Sequence, residues 1–161
     1  MAELIKVGMA DYKVGCAPAS LISYGLGSCV GIALFDPVVK VGGLSHIMLP
    51  DSFSARSVEN PAKFADSAIP LMLADIIRLG GVKTRIWAKI AGGAQMFSFA
   101  NTMEIMRIGD RNAEAVQAIL SQLNIPLRGR DTGGNYGRTV ELNLEKGIFR
   151  IKTIAKGEKE L

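Results

Sequence analysis

Three short apolar segments, Ala19–Tyr24, Val30–Phe35 and Val41–Met48, follow one another within thirty residues and are cut apart by glycine-rich or Asp-Pro turns. Apolar runs of this length between turn signals read as strands rather than helices. This part of the chain therefore commits the fold to a sheet. Asp36-Pro37 marks the turn between the second and third segments. Gly42-Gly43 inside the third implies a bulge or a close backbone approach. Further on, Val140, Leu142 and Leu144 alternate along Thr139–Leu144, and Glu145-Lys146-Gly147 turns that strand into Ile148–Ile154 as a hairpin.

Two stretches carry the longer period of a helix. Asn60-Pro61 offers an N-cap with proline behind it, and Phe64, Ala68, Leu71, Ile76 and Leu79 follow near helical spacing until Gly80-Gly81. Pro70 predicts either a kink or a helix whose regular part starts nearer Asp66. In Asp110–Leu123, Val116, Ile119, Leu120 and Leu123 form the stripe of a helix lying on a sheet. Thr84–Ile90 and Ile125–Arg130 read as further strands, and Asp131–Gly137 as a turn-rich loop. The sum is two helices and some eight to ten strands in one sheet-rich α/β domain spanning 1–161, with 156–161 expected as a frayed charged tail.

Composition narrows the chemistry. With 48% hydrophobic residues in 161, the chain is not disordered. Two cysteines exclude a disulfide scaffold, and a single histidine excludes a multi-histidine metal site, so neither metal nor other cofactor is expected. The net charge is +4, with the excess of basic residues in 81–161. Those residues are scattered and aromatics are only 6%, which disfavours nucleic acid and leaves an acidic protein partner. No window approaches a bilayer-spanning length and no signal peptide opens the chain, so the expected location is cytoplasmic without direct membrane insertion.

Gly27-Ser28-Cys29-Val30-Gly31 places a cysteine between glycines that permit a tight turn presenting its side chain. A thiol needs a base to act as nucleophile at neutral pH, and only His46 is available. A hairpin about Asp36-Pro37 would fold His46 back toward Cys29, and Ser23 near the end of the preceding strand is suited to orient the imidazole. The same residues also read as packing: Cys29 as a small buried hydrophobe, His46 as a satisfied strand residue. Spacing alone leaves both readings open. Cys16 has no candidate base near it and reads as structural.

The chain resembles the CheD family, the chemoreceptor glutamine deamidases of bacterial chemotaxis. The resemblance is carried by Leu26-Gly27-Ser28-Cys29-Val30, Phe35-Asp36-Pro37, Val41–Pro50 with its Gly-Gly-Leu-Ser-His core, Gly92–Phe97, Ile108–Asn112, and Asp131–Gly134 with Gly137-Arg138. It implies a cysteine hydrolase with Cys29 as nucleophile, His46 as general base and Ser23 where the family usually has threonine. It implies also an α/β/β layered fold like that of toxin deamidase catalytic domains. The expected substrates are glutamine side chains, and also methyl esters, of methyl-accepting chemoreceptors. Backbone N–H groups around Gly27 and Ser28 would hold the oxyanion. The implied partner is the phosphatase CheC, with Phe97 and Phe99 as candidate contacts. The alternative is a non-catalytic module that binds and activates CheC.

Overall fold

The computed structural model describes residues 2–53, 60–96 and 107–161. The described strands are β1 (Leu4–Lys6), β2 (Asp11–Cys16), β3 (Ser20–Leu26), β4 (Val30–Asp36), β5 (Val41–Ile47), β6 (Trp87–Gly92), β7 (Leu127–Thr132), β8 (Arg138–Asn143), β9 (Ile148–Thr153) and β10 (Gly157–Glu160). They pair into two sheets of five, in the orders β1-β3-β8-β9-β10 and β2-β5-β4-β6-β7. Helices α1 (Ala65–Arg78) and α2 (Ile108–Gln122) lie on the outer face of the second sheet. The layers are thus α/β/β, as expected.

The central strands β4 and β5 are buried along their whole length, because helices cover one face and the first sheet covers the other. Alternation sorts their side chains. Val30, Ile32, Leu34 and Ile47 pack against α1 and α2, while Cys29, Ala33, Phe35 and Leu44 enter the layer between the sheets. Facing them from the first sheet are Leu21, Val140, Leu142, Phe149 and Ile151. Gly42 and Gly43 are there for close packing, since Cβ atoms would fall 2.5 Å from the Leu34 carbonyl oxygen and 2.8 Å from Met72 Sδ. The β4–β5 hairpin forms about Asp36 as expected, with Val30 opposite Ile47 and Gly31 opposite His46.

Helix α1 comes after a short turn at Pro61–Lys63 that Asn60 caps through Ala62 N–H. Pro70 is inside the helix on its exposed side, where it donates no hydrogen bond to the Asp66 carbonyl. The buried stripe is Ala65, Ala68, Ile69, Met72, Leu73 and Ile76; Leu71 and Leu79, counted as stripe residues from spacing, face solvent. The tail expectation is corrected. Gly157–Glu160 forms an edge strand on β9, with Glu158 opposite Lys152 and Glu160 opposite Arg150, and both opposed pairs are salt bridges. Among the described residues no helix is long and apolar enough to cross a membrane.

Candidate active site

Strand β3 belongs to the first sheet and β4 to the second, so the chain must cross between layers at Gly27–Cys29. Just before the crossing, the β3–β8 register shifts between Ser23 and Leu26, and Gly25 adopts φ +71°. A bulge of this kind twists the strand and re-aims the residues beyond it. The result brings three sequence-predicted residues into one layer. Ser23 (0% exposed) comes from the first sheet, and Cys29 (7%) and His46 (1%) come from the second. His46 sits opposite Gly31, so Cys29, two residues before Gly31, is its diagonal neighbour on the same face. Glycine at 31 puts no side chain between them.

The hydroxyl of Ser23 lies 2.8 Å from His46 Nδ1 and 2.7 Å from the Val7 carbonyl oxygen. A hydroxyl has one proton and a carbonyl can only accept, so Ser23 donates to Val7 and accepts from Nδ1–H. That assignment leaves Nε2 unprotonated in the neutral ring. Nε2 is buried and has no hydrogen-bond partner among the described residues, and it is not hydrogen-bonded to the Cys29 thiol. Burial holds His46 below the ordinary histidine range. Burial likewise pushes the Cys29 thiol up, offset in part by its own backbone N–H. The resting pair is therefore a thiol and a neutral imidazole whose free lone pair is the one available base. The Nε2 lone pair and the thiol share a face without a hydrogen bond between them.

The turn carrying Cys29 is held by its carbonyls. Gly93 N–H donates to Cys29 O and Ala94 N–H to Gly27 O, each at 2.9 Å, and the Asn112 side-chain amide donates to Ser28 O at 2.9 Å. With all three oxygens engaged, the N–H groups of Ser28 and Cys29 make no backbone bond among the described residues. Both N–H groups lie in the same turn as the thiol, and that of Cys29 is the one that offsets the burial of its own sulfur. Gly27 itself is covered by Met96, whose Cγ lies 3.2 Å from where a Cβ would stand. Phe97 and Phe99 lie outside the described residues. Cys16 is exposed on β2. Among the described residues no group of acidic, histidine or cysteine side chains could hold a metal.

Sequence reading missed three parts of this site: the Val7 carbonyl, the Gly92–Ala94 turn, and Asn112. Asn112 had a signal. It stands four residues before Val116 on the apolar stripe of α2, where an amide is out of place unless it is bonded.

His46 is the only histidine in the chain, so its ring is open to single-residue nitrogen NMR. We expect a protonated Nδ1 and an unprotonated Nε2 in the neutral ring, with titration below the usual value of about 6.5. Because the folded pKa is depressed, the associated stability is complete above about pH 6.5 and is lost as pH falls toward the folded value. For Cys29, whose folded pKa is raised, stability is complete below about pH 8.5 and is lost as pH rises through the folded value. Thermal unfolding across pH should show these two groups contributing most between those limits, and His46→Gln should flatten only the acid side. A protonated Nε2 in the neutral ring would contradict the hydrogen-bond assignment.

The family model for CheD chemotactic sensory transduction matches residues 48–153 of this chain. A protein of Desulforamulus reducens named probable chemoreceptor glutamine deamidase CheD is 53% identical over 150 residues, covering 93% of this chain and 90% of its own. One of the same name from Syntrophomonas wolfei is 50% identical over 99% of both chains. The chemoreceptor glutamine deamidase CheD of Halalkalibacterium halodurans is 49% identical over the full length of both. Among solved structures, the Bacillus licheniformis hypothetical protein YfiH covers 76% of this chain and 50% of its own, at 17% identity and a TM-score of 0.47.

Proposed function

The chain belongs to the CheD family, and from that premise we propose that it is a cysteine hydrolase converting glutamine side chains of methyl-accepting chemoreceptors to glutamate. Cys29 is the nucleophile, His46 the general base and Ser23 the residue that orients it. The observation that carries this reading is the pinned Ser23 hydroxyl, which leaves His46 Nε2 as a free lone pair on the face that Cys29 shares.

Each step uses one of those groups. His46 Nε2 takes the proton of the Cys29 thiol as sulfur attacks the carboxamide carbon. Charge moves to the amide oxygen, where the Ser28 and Cys29 N–H groups meet it. Because the Nε2–H so formed faces the departing nitrogen, His46 gives that proton to the leaving ammonia. A thioester on Cys29 remains. Water, deprotonated by His46, attacks it and releases glutamate and the thiol. A methyl ester would enter the same path and lose methanol in place of ammonia, so hydrolysis of receptor methyl esters is part of the proposal. The receptor's glutamines are reached from the cytoplasm, and no cofactor takes part.

CheC is the regulatory partner in this reading, with Phe97 and Phe99 as the candidate contacts. Family membership supports the partner, and the apolar Phe/Met stretch of the sequence supports the contacts.

The direct test is incubation with a cytoplasmic receptor fragment, and then peptide mass spectrometry. Amide-to-acid exchange at specific glutamines is expected within the enzyme-treated sample alone. A fragment whose glutamines stay intact under conditions where the protein is folded would end the deamidase reading.

A further inference from the structure

We propose that Asn112 is a positioning residue that sets the spacing between nucleophile and base, because its one side-chain amide bonds the chain on both sides of the pair. The proposal rests on the Cys29–His46 reading above. Asn112 Nδ2 donates to the Ser28 carbonyl and to the Met48 carbonyl, each at 2.9 Å. Ser28 adjoins Cys29, and Met48 lies two residues beyond His46. Both acceptors are carbonyls, so only the amide nitrogen can face them and the orientation of the group is settled.

The strand ladder fixes His46 opposite Gly31 but stops one residue short of Cys29. Pairing between β4 and β5 ends at Val30 opposite Ile47, so residues 28 and 48 are past its last rung. Both N–H groups of Asn112 replace that rung from a helix 64 residues away from Met48 and 84 from Ser28. The helix stands where it can do so because α2 meets the Gly93–Ala94 backbone at Gly109. A Cβ at Gly109 would fall 2.4 Å from the Ala94 carbonyl oxygen. That same Gly93–Ala94 segment holds the carbonyls of Cys29 and Gly27. One rigid assembly thus fixes the nucleophile turn and the end of the base's strand together.

A second observation separates positioning from packing. Asn112 is fully buried, yet its Oδ1 has no hydrogen-bond partner among the described residues. An orphaned buried acceptor is costly, and an apolar side chain of similar volume would avoid it. Leucine would remove that orphan but would leave the Ser28 and Met48 carbonyls without this donor. The amide is worth keeping only for what its two donors hold.

The test compares Asn112→Leu with the parent chain, both carrying Cys16→Ser so that Cys29 is the single thiol. Alkylation of Cys29 by iodoacetamide is measured against pH, alongside thermal unfolding and receptor-fragment deamidation. In the parent the alkylation profile should carry an inflection from His46, absent in His46→Ala. In Asn112→Leu that inflection should vanish and deamidation fall roughly 100-fold, the scale of a misplaced reacting pair, while the protein stays folded at the assay temperature. Retention of the inflection and of deamidation by folded Asn112→Leu would overturn the positioning role and leave the Cys–His reading intact. A parent profile identical to that of His46→Ala would instead overturn the Cys–His reading beneath it. If the leucine variant does not fold, Asn112→Ala carries the same comparison, and failure of both to fold would reduce Asn112 to a folding residue.

Discussion

Cys29→Ala is expected to lower receptor deamidation by at least about 10⁴-fold, to the uncatalysed background, while the protein stays folded. No other described group can take over. Cys16 lies exposed on β2, and Ser28, the neighbouring hydroxyl, has an alcohol's far higher pKa and no free base assigned to it. Stability should change little, since the loss is one sulfur from a small buried side chain, about 1 kcal/mol. His46→Ala should reach nearly the same floor, because without Nε2 the buried thiol remains protonated. The double variant should then be no worse than either single one, as expected for groups that work as a unit. Single-turnover mass spectrometry of a receptor fragment, with circular dichroism to check folding, measures all three. Full deamidation by Cys29→Ala would remove the nucleophile from the proposal. Full signalling by that variant in cells, with deamidation lost, would favour the binding module that acts through CheC.

Gly92→Ala should cost at least about 3 kcal/mol and take activity with it, from strain and overlap combined. Gly92 ends β6 at φ +117°, and a Cβ there would lie 2.2 Å from the Cys29 carbonyl oxygen and 3.1 Å from Val30 Cα. Neither neighbour can yield. Gly92 pairs with Val30 on one side and Thr132 on the other, and Gly133 N–H donates to its carbonyl at 3.0 Å. The chain would have to move Cys29, and with it the Gly27–Cys29 turn that Gly93, Ala94 and Asn112 hold. An unfolding temperature lower by roughly 6–12 °C is the corresponding shift for a chain of this size. Gly80→Ala is the control. Its φ is +106°, but nothing lies within 4 Å of the added Cβ, so it should show the backbone strain alone, about 1–2 kcal/mol. Equal effects of the two substitutions would mean that crowding against Cys29 is not what Gly92 avoids.

Much of this molecule was legible because its signals are local. Val140, Leu142 and Leu144 alternate in sequence and are all buried in the inter-sheet layer, since a strand's period of two puts them on one face. Val116 and Leu120 mark the buried face of α2 for the corresponding reason at the helical period. The edge strands β1, β2 and β10 carry no comparable signal, and β2 and β10 show why. Strand β10 is held by backbone pairing and cross-strand charges, and β2 by backbone pairing with only Tyr12 and Val14 partly buried against the core. Leu71 falls outside the arc that α1 buries, and Leu79, though in phase with Met72 and Ile76, is exposed as the C-cap beyond the last helical residue.

The candidate site divides in the same way. Scarcity made the candidate pair readable from the chain itself: with one histidine, any cysteine–histidine chemistry must use His46, and the Asp36-Pro37 hairpin folds it back toward the Cys29 turn. Residue chemistry and short-range turns are properties of neighbours along the chain. The groups that hold that pair come from far along it. Ser23 reaches His46 from the opposite sheet, Val7 fixes which ring nitrogen keeps the proton, and Asn112 reaches back across the fold to tie Ser28 to Met48. These are hydrogen bonds between segments that meet only after two sheets and a helix layer have packed. A directional bond is set by distance and angle in space, which no pattern of neighbouring residues encodes.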